Sequence, residues 1–284
     1  MHSGFRTGFW LVLLAVLFVW AGGLLGGAQG AMLAFVIALA VNLIAYFASD
    51  KIVLARYRAQ EVSEQEQPRL HAIVARLAEK AGLPMPKVYV IPENAPNAFA
   101  TGRDPKHAAV AVTSGLLQNL DEDEVEGVLA HELAHVKNRD TLTTTVAATL
   151  AGALAMVANV ARFGSRGGRG RANPIALLLL IIGAPLAALL IRLLVSRIRE
   201  YAADRDGAQM SGRPLSLADA LRKIARSAEQ LPMSRGNAVD AQMFIVNPFT
   251  GGLQTLFSTH PPLQERIERL QSMAGQSGQA PSSN

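Results

Sequence analysis

Read for apolar and polar positions, the chain divides into long uncharged runs and shorter stretches of helical or strand-like period. Residues 7–49 contain no Asp, Glu, Lys or Arg, and neither do 141–161 or 172–191. A helix needs roughly 20 apolar residues to cross the hydrocarbon of a bilayer. The first run therefore has room for two, Phe9 to Leu25 and Met32 to Phe47, with the glycine-rich stretch Gly22 to Gly30 as the turn between them. A cleaved signal peptide is the alternative for the first length. It lacks a strongly basic start, and a second apolar length follows at once, which favours an uncleaved hairpin. The third run, Thr141 to Ala161, carries five threonines and is only marginally apolar. The fourth, Ile175 to Val195, is strongly apolar, with a kink expected at Gly183 to Pro185.

Four crossings with the amino terminus inside place Arg6, Lys51, Arg56, Arg58, Lys137, Arg139, Arg192, Arg197, Arg199 and Arg205 on or near the cytoplasmic side. Arg162, Arg166, Arg169 and Arg171 then fall in one short outer loop. The positive-inside rule favours this orientation, yet that loop conflicts with it. A re-entrant last pair would keep those arginines inside. Both versions return residues 140 and 196 to the same side.

Outside the apolar runs, Leu70, Ile73, Val74 and Leu77 recur at helical spacing within Arg69 to Ala81. Short β-like runs follow at Lys87 to Ile91, Asn97 to Thr101 and Ala108 to Thr113, punctuated by Pro, Asn, Gly and Asp. They predict a small sheet of about three strands, whose edge can either take up an extended peptide or only support the fold. Asp121-Glu122-Asp123-Glu124 opens the next helix, four acids where the macrodipole is positive. Further helices are expected at Ser196 to Asp204, Leu215 to Ala228 and Leu263 to Met273, with a flexible stretch near Pro232 to Ala238. There is no repeat of solenoid period.

Composition sharpens this reading. Half of the residues are hydrophobic and 17% charged, with a mean hydropathy of +0.22, which excludes a disordered chain and an ordinary soluble globule. The fold class is a mostly α integral membrane protein with a small β-sheet. The absence of cysteine excludes disulfides, thiolate metal sites and a cysteine nucleophile, leaving histidine and carboxylate as the strong metal ligands. The net charge of +5 sits mostly beside the apolar runs, so the lipid bilayer, rather than nucleic acid, is the expected polyanionic partner.

The chemistry centres on His131-Glu132-Leu133-Ala134-His135. Two imidazoles four residues apart share one helical face and can hold one metal ion, while Glu132 projects to a neighbouring side toward a metal-activated water. A catalytic zinc site usually takes three protein ligands and leaves a fourth position open. His2, His71 and His107 lie near a terminus, on an amphipathic helix and beside a strand, where surface or packing roles suffice. Glu200 is better placed, with Asp204 on the same face at i+4. Glu200 can bind zinc while Asp204 accepts from the other ring nitrogen of a ligating histidine, or the two can simply line a solvated helix.

The ordered set of features resembles the HtpX-type membrane metalloproteases, gluzincins related to the CAAX prenyl-protein proteases. It comprises the amino-terminal apolar hairpin, Asn97-Ala98-Phe99-Ala100-Thr101-Gly102, the histidine motif followed by Asp140, and two further apolar segments. Arg199-Glu200-Tyr201-Ala202-Ala203-Asp204 and Phe257-Ser258-Thr259-His260-Pro261-Pro262 complete it. The resemblance covers nearly the whole chain.

It implies a zinc endopeptidase of the bacterial inner membrane, multi-pass, with a zincin-like domain at the membrane surface facing the cytoplasm. One Zn2+ per subunit would be held by His131, His135 and Glu200, with Glu132 as the catalytic carboxylate and Asp204 and Asp140 supporting the ligands. His260 would help at the transition state, and Asn97, Ala98, Phe99 and Ala100 would lie near the substrate. Misfolded or damaged membrane proteins and unfolded polypeptides are the implied substrates, in a stress-response role, with membrane protease regulators as further partners. The chain then divides into a transmembrane hairpin (1–49), a first part of the protease domain (50–140), a second apolar pair (141–195), a second part of the domain (196–274) and a disordered tail (275–284). The rivals are a non-catalytic zinc scaffold, a prenyl-protein-type processing enzyme and an intramembrane protease. Against the last, charged residues flank the histidine motif on both sides.

Overall fold

The computed structural model describes residues 3–146, 197–233, 240–249 and 261–277. Helix α1, Ser3–Phe47, is interrupted where Gly26 and Gly27 leave helical geometry, Gly27 at φ 58° and ψ −145°, a conformation open to glycine. The chain reverses there. A Cβ built on Gly22 would lie 2.5 Å from the Cβ of Ala34, and one on Gly30 would overlap the carbonyl oxygen of Gly22. The two limbs thus meet through glycines, which let helix backbones approach closely in lipid. The second limb, Gly26–Phe47, has 22 residues and a mean hydropathy of 2.2, with 11% of its most apolar window buried. Among the described residues it is the helix both long and apolar enough to cross a membrane. Its exposed residues, among them Met32, Leu33, Phe35, Val36 and Leu39, form an apolar surface suited to lipid.

Short helix α2, Ser49–Arg56, leads into a mixed sheet of β1 (Gln60–Glu61), β2 (Lys87–Ile91), β3 (Ala98–Thr101) and β4 (Ala109–Thr113), in the order β1-β2-β4-β3. β2 and β4 run parallel with Tyr89 opposite Ala111, while β3 pairs antiparallel with β4, Phe99 opposite Ala111. Period-two alternation sends successive side chains to two different cores. Val88, Ala98, Ala100, Val110 and Val112 face α3 (Pro68–Ala81) and later helices. Phe99, Ala109 and Ala111 face Val53, Leu54 and Tyr57 around α2, together with Met243 and Phe244.

Helix α4, Ser114–Asn119, follows β4. Helix α5, Glu122–Lys137, then starts from a capping box in which Asp121 accepts from the Glu124 N–H and Glu124 accepts from the Asp121 N–H, satisfying two donors at that end. Among the described residues three further α-helices follow: α6 (Arg197–Ser211), α7 (Pro214–Gln230) and α8 (Leu263–Ser277). α5 is sandwiched between the sheet and these helices, and nearly all of it is buried. The chain after α5 turns at Asp140 into residues 141–146, which are helical, and Leu142 and Val146 pack on Ala45 near the end of α1. The apolar limb is thereby joined to the segment just beyond the histidine motif.

The expectation of about three strands becomes four among the described residues, because β1 has two residues and shows no alternation. α2 and α4 are likewise too short to show a period. Of the tail expected to be disordered from residue 275, Gly275 to Ser277 belong to α8. Residues 147–196, which hold most of the second apolar pair, and 278–284 lie outside the described residues, as does most of the stretch expected to be flexible near 232–238.

The reversal at Gly26 and Gly27 yields a direct test. A Cβ on Gly23 would stand 3.7 Å from the Cβ of Ala31, within the ~3.5–4.5 Å that a disulfide spans. In this cysteine-free chain, Gly23→Cys with Ala31→Cys is expected to form an intramolecular disulfide on mild oxidation, read by mass spectrometry after proteolysis. In an unbroken helix the same residues would lie roughly 12 Å apart and would not cross-link.

Candidate active site

α5 carries His131 and His135 one turn apart on the face that α6 covers, and the two rings meet edge to face at 4.8 Å. The closeness of α6 has a local cause. A Cβ on Gly207 would stand 2.8 Å from the backbone N and Cα of His131, so any side chain there would push the helices apart. With glycine in place, Glu200 lies with one carboxylate oxygen 3.5 Å from His135 Nε2 and the other 3.9 Å from His131 Nε2. One donor atom from each of His131, His135 and Glu200 fits within a 4.8 Å span.

Each histidine has a carboxylate behind it. Asp204 Oδ1 is 2.9 Å from His131 Nδ1, ion-pair distance, although the ring N–H is not aligned for a hydrogen bond. Asp140 Oδ2 is 3.5 Å from His135 Nδ1. Two arginines hold these carboxylates in turn. Arg266 of α8 makes a two-pronged contact with Asp204 at 2.7 and 2.8 Å, and Arg199 reaches Asp140 at 3.3 Å. Burial disfavours the Asp204 carboxylate, but the Arg266 charge and hydrogen bonds, aided by His131, prevail and hold its pKa down at about 2. Arg266 is 1% exposed. Burial alone would lower its pKa, but Asp204, Glu200 and Glu132 raise it.

Glu132 is buried and lines the same cavity as the histidines, Glu200 and Ala100. Its Oε2 accepts a 2.8 Å hydrogen bond from the Ala100 N–H. Burial raises its pKa above the ordinary carboxylate value, outweighing the pull of the two histidines and of Ala100, with Glu200 adding to the rise. It is therefore a stronger proton acceptor than a solvated glutamate. For His135, burial works against the charged form, but Asp140, Glu200 and Glu132 dominate and push its pKa up to about 9.

These residues suit a metal ion on two counts. His131 Nε2 is buried without a hydrogen-bond partner among the described residues, a deficit of about 1–3 kcal/mol that a ligated cation removes. Of the four buried carboxylates around the two imidazoles, Asp204 and Asp140 are balanced by Arg266 and Arg199, while Glu132 and Glu200 face the histidines across the cavity, a setting that suits a cation. The donor set of two nitrogens and one carboxylate is one that zinc accepts.

The other candidates are placed as follows. His71 Nε2 contacts the Val62 carbonyl at 2.8 Å, and His107 pairs with Asp104, both away from the site. His2 and His260 lie outside the described residues. Of Asn97, Ala98, Phe99 and Ala100, Ala100 lines the cavity. The Phe99 ring points into the opposite core against Tyr57 and Phe244. Asn97 donates through Nδ2 to the Val246 carbonyl and accepts at Oδ1 from the Ala98 N–H. The Ala98 carbonyl accepts from the Ile245 N–H at 3.3 Å. Three residues escaped the sequence reading. Arg266 has a signal, a charge on the apolar stripe of Leu263, Ile267 and Leu270, and Gly207 shares the stripe of Glu200 and Asp204. Gln242 sits in an otherwise apolar stretch from Ala241 to Val246 and offers little.

The Asp204–Arg266 pair sets a stability expectation. Because the folded-state pKa lies below the ordinary 3.8, the pair contributes fully above about pH 4 and loses its contribution as pH falls toward 2. Asp204→Asn leaves the guanidinium buried without its counter-charge and is expected to cost about 3–5 kcal/mol, measured as a lower unfolding midpoint in detergent at pH 7, with weaker zinc retention.

Comparison with known proteins agrees with the geometry. The model of peptidase family M48 matches residues 64–274. A protease HtpX homolog of Syntrophobacter fumaroxidans is 52% identical over 96% of this chain and 100% of its own length. Its counterpart in Salinibacter ruber is 54% identical over 95% and 98%, and that of Pyrococcus furiosus is 52% identical over 96% of each. The crystal structure of S. mikatae Ste24p shares the fold at a TM-score of 0.51 and 18% identity, matching 93% of this chain and 62% of its own. With a match of this extent and the histidine motif assembled against Glu200, the chain belongs to peptidase family M48 and is a metalloprotease of the HtpX type.

Proposed function

We propose that this metalloprotease is a membrane-bound, zinc-dependent endopeptidase that cleaves misfolded or damaged membrane proteins and unfolded polypeptides at the cytoplasmic face of the bacterial inner membrane. The observation that carries the reading is the convergence of His131, His135 and Glu200 beside a buried Glu132 whose proton affinity is raised. His131, His135 and Glu200 would hold the ion, and Asp204 and Asp140 would orient the histidines from behind. Bound there, zinc supplies a Lewis acid that polarises the peptide carbonyl and acidifies the attacking water. Glu132 takes the proton of that water and passes it to the departing amine, acting as base and then acid. The Ala100 N–H, by holding one oxygen of Glu132, leaves the other directed to the cavity. His260 would donate to the developing oxyanion, and the Asn97 to Ala100 strand would border the substrate.

A surface position for the site is supported by the contact of Ala45, near the end of the apolar limb, with Leu142 and Val146, because Thr141 and Thr144 from the same segment line the cavity. The likeness to Ste24p is one of fold and brings no substrate with it. A non-catalytic zinc scaffold would have no use for a buried, raised-pKa carboxylate beside its ligands. Regulatory membrane proteins remain expected partners on the grounds of the resemblance.

Zinc content and casein cleavage of detergent-purified protein decide the chemistry. Glu132→Gln is expected to keep about one zinc and lose cleavage by at least about 10²-fold, whereas Glu200→Ala loses both. A Glu200→Ala protein with full zinc and full activity would remove Glu200 from the ligand set. Orientation is read with single cysteines and an impermeant thiol reagent. A cysteine at Ser63 is expected to react only after the inner face is opened, and one at Ser165 reacts from outside if the second apolar pair crosses fully.

A further inference from the structure

Gln242 has no part in the chemistry above, yet the residue lines the cleft and its amide is unpaired among the described residues. The residue is 5% exposed. Both Oε1 and Nε2 are buried, and neither has a hydrogen-bond partner among the described residues. It lines the cavity together with Ala100, His131, Glu132, His135 and Glu200. Leaving a buried amide unpaired is costly, and no group among the described residues relieves it.

Its position is firmly built. On the amino-terminal side of the 244–246 segment it belongs to a short 3-10 turn, Asp240–Met243. Phe244 is locked edge to face between Tyr57 and Phe99. The Ile245 N–H donates to Ala98, the Ile245 carbonyl accepts from Arg266 at 2.8 Å, and the Val246 carbonyl accepts from Asn97. A side chain held beside the cleft on so constrained a backbone is preorganised rather than loose.

The β3 edge makes the need for such a group plain. A polypeptide entering the cleft must find partners for its own N–H and C=O groups. On β3, however, the outward N–H of Ala100 is taken by Glu132 and the outward carbonyl of Ala98 by Ile245. A primary amide offers one acceptor and a pair of donors, the complement of a peptide group. We propose that Gln242 binds the main chain of the polypeptide substrate next to the scissile bond, accepting from a peptide N–H and donating to a peptide carbonyl. It recognises backbone rather than side chains, as suits an enzyme for unfolded chains of varied sequence. This inference rests on the protease reading above.

The test uses full-length, zinc-loaded enzyme in detergent and a fluorogenic peptide built around one mapped β-casein cleavage site. Ester analogues of that peptide each replace a single backbone N–H. Gln242→Met, similar in volume and without an amide, is expected to keep zinc stoichiometry and to melt at or above the wild-type temperature. It should lower kcat/KM by about 3- to 30-fold, the worth of one or two neutral hydrogen bonds. One ester analogue should cost wild type a comparable factor and cost Gln242→Met nothing further. Gln242→Leu repeats the measurement should the methionine variant not fold. Unchanged kinetics, equal ester penalties in wild type and variant, or loss of zinc and thermal stability in both variants overturns the proposal while leaving the protease reading intact. A wild type without zinc-dependent casein cleavage overturns both.

Discussion

The fold turns on one buried ion pair. Arg266 and Asp204 bring α8 against α6, and the same guanidinium that grips Asp204 also donates to the Ile245 carbonyl, while Asp204 stands behind His131. Four parts of the chain that are remote in sequence, α5, α6, α8 and the 240–249 segment, therefore share one charge balance. Such a pair does little for net stability compared with apolar packing, but breaking one side is severe because the other charge stays buried. Its effect is to fix geometry: the imidazole of His131 and the wall of the cleft carrying Gln242 are positioned by the same arginine.

Burial has a second consequence at the centre. α5 is an interior helix, with the sheet on one side and α6 and α7 on the other, so Glu132 and the histidines meet little water. That raises the proton affinity of Glu132, and the surrounding carboxylates raise that of His135. Protons compete with a cation for such ligands, so metal affinity falls as pH falls. The same dry setting strengthens every charge interaction with a bound substrate.

The apolar limb and the catalytic domain are parts of one structure rather than an anchor and a passenger. Ala45 touches the segment that follows Asp140, and Thr145 of that segment contacts Thr101 of β3 at 3.0 Å. Glycines shape both regions by the absence of a side chain: Gly22 and Gly30 allow the limbs of α1 to meet, and Gly207 allows α6 to reach His131. In each place the close approach, not the glycine's flexibility, is what the structure uses.

Sequence alone determined whatever repeats over a few residues. The α5 helix with its acidic start, the i, i+4 placement of His131 and His135, the helix over Pro68–Ala81, the strands β2, β3 and β4 and the apolar limb all show as local periods, because backbone geometry fixes 3.6 or 2 residues per repeat. Glu200 with Asp204 was legible as a pair on one helix face and, through topology and the resemblance, as the expected partner of the histidines, although spacing alone does not join residues more than 60 positions apart. Only tertiary structure decided that α6 crosses α5 at Gly207, that Arg266 turns inward to Asp204, and that Phe99 faces away from the cleft while Ala100 faces it. It also decided that Gln242 ends beside the ligands, with no hydrogen-bond partner for its amide among the described residues. These are outcomes of which surfaces bury one another, and local spacing carries no record of that choice.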